Sequence, residues 1–81
     1  MIHVKFWIGN DYENIKNIEL SMRQVPSKGD NVQFPFGYVK YEDGTPYSEN
    51  TFEVDFITWQ LFESNNEITV QMWVANVFLK K

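Results

Sequence analysis

The chain of 81 residues contains no cysteine, which excludes disulfides, thiol nucleophiles and the usual cysteine-held zinc sites together. It has one histidine, His3, so histidine chemistry would have no second imidazole to work with. Basic charge is scarce: seven Lys and Arg stand against 11 Asp and Glu for a net charge of −4, and the basic residues are scattered, with only Lys80 and Lys81 adjacent. A phosphate backbone would meet a mildly repulsive field, so nucleic acid is not an expected partner. No apolar stretch approaches the roughly 20 residues of a membrane helix, and no Lys- or Arg-led apolar run opens the chain, so the expected address is cytoplasmic, away from membranes. Gly9, Gly29, Gly37 and Gly44 are dispersed, and no phosphate loop, dinucleotide fingerprint, nucleophile elbow or HExxH segment is present. No linker, repeat or low-complexity tract divides the chain, so residues 1–81 are expected to form one domain.

What the chain has in quantity is apolar and aromatic surface, at 43% and 17% of residues. A domain this small buries only about 60% of its unfolded surface, and large rings remove the most area from water per ordered residue.

Five apolar runs read as strands. Ile2, Val4, Phe6 and Ile8 alternate with His3, Lys5 and Trp7, the period of a strand with one buried face. Gly9-Asn10-Asp11 ends that run. In the next, Ile18, Leu20 and Met22 alternate with Glu19, Ser21 and Arg23, giving a strand at about 17–24. Ile15, Ile18, Met22 and Val25 also fit a helical face with Asn10 or Asp11 as N-cap, which makes a helix at about 11–24 the alternative. Pro26-Ser27-Lys28-Gly29-Asp30 has the chemistry of a turn, with proline presetting φ, glycine free to take positive φ and Asp30 able to bond the backbone. Val32, Phe34 and Phe36 then alternate up to a proline that suits a strand end. Residues 37–51 form a long excursion in which Asp43-Gly44 could turn a small hairpin.

The last thirty residues predict a long hairpin. A two-residue turn at Asn65-Asn66 would pair Ser64 with Glu67. That register sets Leu61 opposite Val70, Trp59 opposite Met72 and Ile57 opposite Val74. Further from the turn, Phe56 faces Ala75, Val54 faces Val77 and Phe52 faces Leu79, with the apolar side exchanged between the two halves. A bent hairpin curling between two sheets, or reaching past its own core to a second chain, would have this pattern.

These elements predict a mainly β fold: a small antiparallel five-stranded SH3-like barrel or roll with a long C-terminal hairpin, or, failing that, an α+β domain carrying the helix at 11–24. The run Val25-Pro26-Ser27-Lys28-Gly29-Asp30-Asn31-Val32, followed by Phe52-Glu53-Val54 and Trp59, resembles a pattern in small uncharacterised bacterial and phage-encoded β proteins. In these a strand ends at a Pro-x-x-Gly-Asp turn and a later strand carries Phe-x-Val with a tryptophan beyond it. The resemblance spans about residues 18–79 and implies a β fold. It carries no shared activity and no site residues.

Little here points to catalysis. His3 lies on the polar phase of its strand, and Glu53 with Asp55 reads as a solvated strand face, as does Glu42-Asp43. We expect no catalytic residue, metal or cofactor. Aromatic residues outside the predicted core phases are either buried by a covering loop in a second small core, the favoured reading, or form the candidate interaction surface: Trp7, Tyr38, Tyr41, Tyr47 and Trp73. The resulting expectation is a non-enzymatic module acting through contacts with a protein partner whose identity the sequence does not specify, in the manner of a phage or mobile-element accessory protein. The alternative is a barrel binding a small ligand or single-stranded nucleic acid. Leu61, Phe62, Ile68 and Val70 at an exposed hairpin tip lean towards a homodimer.

Overall fold

The computed structural model describes residues 1–9, 14–64 and 70–80, with Ser64 and Val70 described by backbone alone. Five strands follow in chain order: β1 (Ile2–Ile8), β2 (Ile18–Met22), β3 (Asn31–Gln33), β4 (Thr51–Ser64) and β5 (Val70–Lys80). They form one sheet in the order β2-β1-β5-β4-β3, curved into a half-barrel. Among the described residues there is no α-helix.

The mainly β expectation therefore holds, and two parts of it are corrected. The sheet is mixed rather than antiparallel, because β1 runs parallel to β5, pairing His3 with Val74 through Ile8 with Leu79. The helical alternative fails over 14–24, where Ile15 bridges to Tyr41 and Ile18–Met22 pairs antiparallel with β1. The proposed N-cap residues Asn10 and Asp11 lie outside the described residues.

The strands form where the sequence alternates. Val4, Phe6 and Ile8 face inward with Ile18 opposite Phe6, while His3, Lys5 and Trp7 face the other way. The Pro26–Asp30 turn closes as its chemistry requires. Asp30 accepts from the Ser27 N–H at 2.8 Å, and Gly29 sits at φ 91°, a left-handed conformation that glycine adopts without steric penalty. Pro35 ends β3 after Gln33, so the expected alternation stops early. Phe34 is buried whereas Phe36 is exposed. The excursion does contain a small hairpin. Lys40 bridges to Pro46, the Gly44 N–H donates to the Tyr41 carbonyl, and hydrogen bonding from Thr45 holds the Asp43 carboxyl below its ordinary range.

The excursion folds across the inner face of the sheet. Phe34 packs edge-on to Phe6 at 5.4 Å, and Tyr47 lies 6.1 Å from Phe52. With Val4, Ile8, Val39, Val54, Val77 and Leu79 they make one apolar cluster. Each large side chain removed from water here contributes about 1.5–3 kcal/mol.

The C-terminal hairpin is present with a different register. Leu61 pairs with Trp73, Trp59 with Ala75 and Ile57 with Val77; beyond them Phe56 pairs with Phe78 and Val54 with Leu79. Phe52 pairs with Val32 of β3 rather than with Leu79. Ser64 pairs with Val70, and Asn65-Asn66 lies outside the described residues. A β-bulge between Val54 and Phe56 replaces the expected exchange of faces. By inserting Asp55 it lets Phe52 and Val54 share the inner face with Ile57, Trp59 and Leu61. The parallel β1–β5 pairing sets Ala75, Val77 and Leu79 beside Val4, Phe6 and Ile8 in the core.

Candidate functional site

The hairpin is longer than the sheet that supports it. β1 begins at Ile2, and its pairing with β5 begins at Val74, so β5 from Val70 to Trp73 extends beyond it. On the opposite side, β3 reaches β4 only at Thr51–Glu53. The Val54 N–H and carbonyl are then bonded to Asp30 and Gly29. From Phe56 to Glu63, β4 therefore has β5 on one side and no described strand on the other, about 27 Å of free edge at the usual rise per residue.

The exposed apolar side chains concentrate along this projecting ribbon. Of the nine large hydrophobic residues exposed among the described residues, Phe56, Trp59, Leu61, Phe62, Met72 and Trp73 belong to it. Ile57, Trp59, Leu61 and Trp73 lie on the inner face and Phe56, Phe62 and Met72 on the outer. Trp59 is 53% exposed and Trp73 57%, because the excursion covers only the other end of the inner face.

The outer face carries a row of rings across three strands. Phe56 stacks on Phe78 at 4.4 Å and Phe78 on Trp7 at 5.9 Å, with Lys5 Nζ over the Trp7 ring at 4.3 Å. Beside the row, the Trp7 indole N–H donates to Asn76 Oδ1 at 3.0 Å, and the Asn76 amide donates to Gln60 at 3.3 Å. A depression of about 190 Å³ opens next to this chain, bordered by Lys5, Glu19, Gln60 and Phe62. Glu53 and Asp55 share one cation at the base of the hairpin, Lys80 Nζ standing 3.1 Å and 3.8 Å from them. The Glu53 hydrogen bond, then the two negative charges, raise the Lys80 pKa above its ordinary value. His3 stands 3.6 Å from Glu19 on the same partly exposed face.

The five aromatic residues of the candidate surface are dispersed, some exposed and some buried as the covering-loop reading expects. Trp7 belongs to the outer-face row. Tyr38 is exposed but stacks on Phe34 at 5.6 Å, and Tyr41 is partly buried against Tyr47 at 5.3 Å. Tyr47 is only 4% exposed and belongs to the core, so it presents no surface. Trp73 alone lies on the projecting ribbon. Trp59 and Met72, which the expected register made neighbours on a buried face, are instead exposed members of that ribbon. The signal that could have found them is in Phe56–Phe62, which is apolar on both strand phases, more than a strand with one core face needs.

The chain matches no protein-family model, no curated protein and no solved structure.

Proposed function

We propose that this chain is a small non-enzymatic interaction module, on the scale of an SH3-like roll, that works through contacts with protein chains. The observation that carries the reading is the concentration of exposed Trp, Phe, Leu and Met side chains on one two-stranded ribbon. Large aromatic anchors grouped in this way supply most of the energy of protein interfaces, whereas scattered exposed residues on a monomer need no explanation. An accessory role in a phage or other mobile element suits the size and the turn pattern.

The test is quantitative affinity capture from extract of the cells that express the protein. Wild-type chain is compared with L61T/W73T, which blunts the ribbon, and with Y38T, which alters an exposed ring elsewhere. A protein retained by wild type and Y38T but lost by L61T/W73T supports the reading. Identical retention by all three chains refutes it.

Single-stranded nucleic-acid binding is the weaker reading. A single strand needs a basic groove beside its stacking rings, and around the exposed Trp59 and Trp73 the ribbon from Phe56 to Phe62 carries no Lys or Arg. A net charge of −4 further opposes it.

A further inference from the structure

We infer that the partner of the free β4 edge is a second copy of this chain, paired antiparallel about a two-fold axis at Trp59. This rests on the interaction-module reading and adds the identity and register of the partner.

The edge lacks the devices that keep strand edges from pairing. From Phe56 to Phe62 it has no proline, no glycine and no charge, and the bulge lies before it, at Asp55. The sheet's other edges differ. β2 has five residues including Glu19, and β3 only three. Two chains of net charge −4 repel one another over most of their surfaces, and this uncharged segment is where they can approach with least penalty.

The segment is also a chemical palindrome. Phe56-Ile57-Thr58-Trp59-Gln60-Leu61-Phe62 reads aromatic, aliphatic, polar, Trp, polar, aliphatic, aromatic in either direction. Antiparallel two-fold pairing sets a residue on the axis opposite its own copy. With Trp59 there, Ile57 faces Leu61 of the second copy on the inner side. On the outer side Phe56 faces Phe62 and Thr58 faces Gln60, so every opposed pair matches in kind. Moving the axis to Gln60 would instead set Ile57 against the Glu63 carboxylate. Pairing ends before Asp55, because Gly29 and Asp30 of the Pro26–Asp30 turn occupy the edge at Val54. The two half-barrels thus join into one continuous sheet across about 24 Å of shared edge.

Thr58 and Gln60 are both exposed, so they can be changed without opening the core. In this register T58E/Q60E opposes carboxylate to carboxylate twice, whereas T58K/Q60E opposes ammonium to carboxylate twice. Sedimentation equilibrium of the full chain is expected to give twice the 9.7 kDa mass for wild type and T58K/Q60E. T58E/Q60E should sediment as monomer, with a dissociation constant raised at least about 100-fold, and far-UV circular dichroism reports whether it remains folded. If it does not fold, single-cysteine chains decide. Trp59→Cys should cross-link on oxidation, since residues opposed on the axis lie within disulfide reach, and Thr58→Cys should not. Monomeric wild type, dimeric folded T58E/Q60E, monomeric T58K/Q60E, or cross-linking by Thr58→Cys in preference to Trp59→Cys would each overturn the proposal. Monomeric wild type together with ribbon-dependent capture of another protein would leave the interaction-module reading standing and remove only self-pairing.

Discussion

Asn76 is the only buried polar residue among those described, at 7% exposed on the outer face of the sheet, and its partners explain why it is tolerated. Its carbonyl oxygen accepts from Trp7 and its amide donates to Gln60, joining three adjacent strands. Asn76→Ala removes both bonds and leaves a small void, which should lower stability by about 1–3 kcal/mol. Urea denaturation measures this, and a double-mutant cycle with Trp7→Phe should show coupling between the two positions. A loss below about 0.5 kcal/mol would mean the amide chain is incidental. Lys80 sets a pH limit of a different kind. Its pKa is raised by the Glu53 bond and by the Glu53 and Asp55 charges. The stabilising contribution is therefore fully present below the ordinary value of 10.5 and is lost as pH rises through the raised one. The stability difference between wild type and Lys80→Met should be constant near neutrality and shrink above that range. A difference that grows there would reverse the assignment. All three partners are solvated, so the effect is small and should weaken further in salt.

Among the elements, β4 decides how the sheet is built, because it carries fourteen residues and serves two different neighbours. Phe52 and Val54 must face the core beside Leu79, while Ile57 must do so beside Val77. An odd number of intervening steps would put those two groups on opposite faces, and the Asp55 bulge absorbs the extra residue. Deleting Asp55 should force either Phe52 and Val54 or Ile57 and the ribbon out of register. That would expose side chains worth about 1.5–3 kcal/mol each, whereas Asp55→Ala should change stability by about 0.5 kcal/mol or less. Urea denaturation with near-UV circular dichroism distinguishes the two. A deletion variant with wild-type stability would show that the bulge is dispensable. The same element marks how far the sequence could be read. Alternation in β1 and the Pro26–Asp30 turn are local patterns, and both were legible with their faces correct. The hairpin was legible as a hairpin, but its register was not, and the bulge that reconciles the two apolar phases of β4 is announced by no single residue. An assumed turn at Asn65-Asn66 then carried its error along both strands. Exposure at Leu61, Phe62 and Trp73 was legible, but the same assumption placed Trp59 and Met72 opposite one another on a buried face and so hid their part of the ribbon.

At the scale of the whole molecule, the parallel pair between β1 and β5 joins the two ends of the chain, with Ile8 against Leu79 and Phe6 against Val77. Nothing in the local pattern of either segment reports that neighbour. Parallel strands need a long connection, and here it is the entire domain between them, so the pairing became visible only in the structure. The arrangement makes folding depend on the last residues. β5 is central, hydrogen-bonded to β1 on one side and β4 on the other, and Leu79 is 2% exposed between Ile8 and Val54. Ending the chain after Val77 would remove Leu79 from the core, Phe78 from the ring row and Lys80 from its two carboxylates. It would also remove the final backbone pairs on both sides of β5. Leu79 alone represents about 1.5–3 kcal/mol of burial and half-buried Phe78 adds to it, a large share of the roughly 4–12 kcal/mol total stability of a domain this size. The truncated chain should therefore lose its cooperative urea transition and its dispersed amide spectrum. Stopped-flow tryptophan fluorescence of the intact chain should report folding in milliseconds to seconds, since the ends must meet before the central strand has both neighbours. A truncated chain that keeps a dispersed spectrum, or an intact chain that folds in microseconds, would mean that the β3–β4 and excursion contacts form a self-sufficient core and that closure of the termini is secondary.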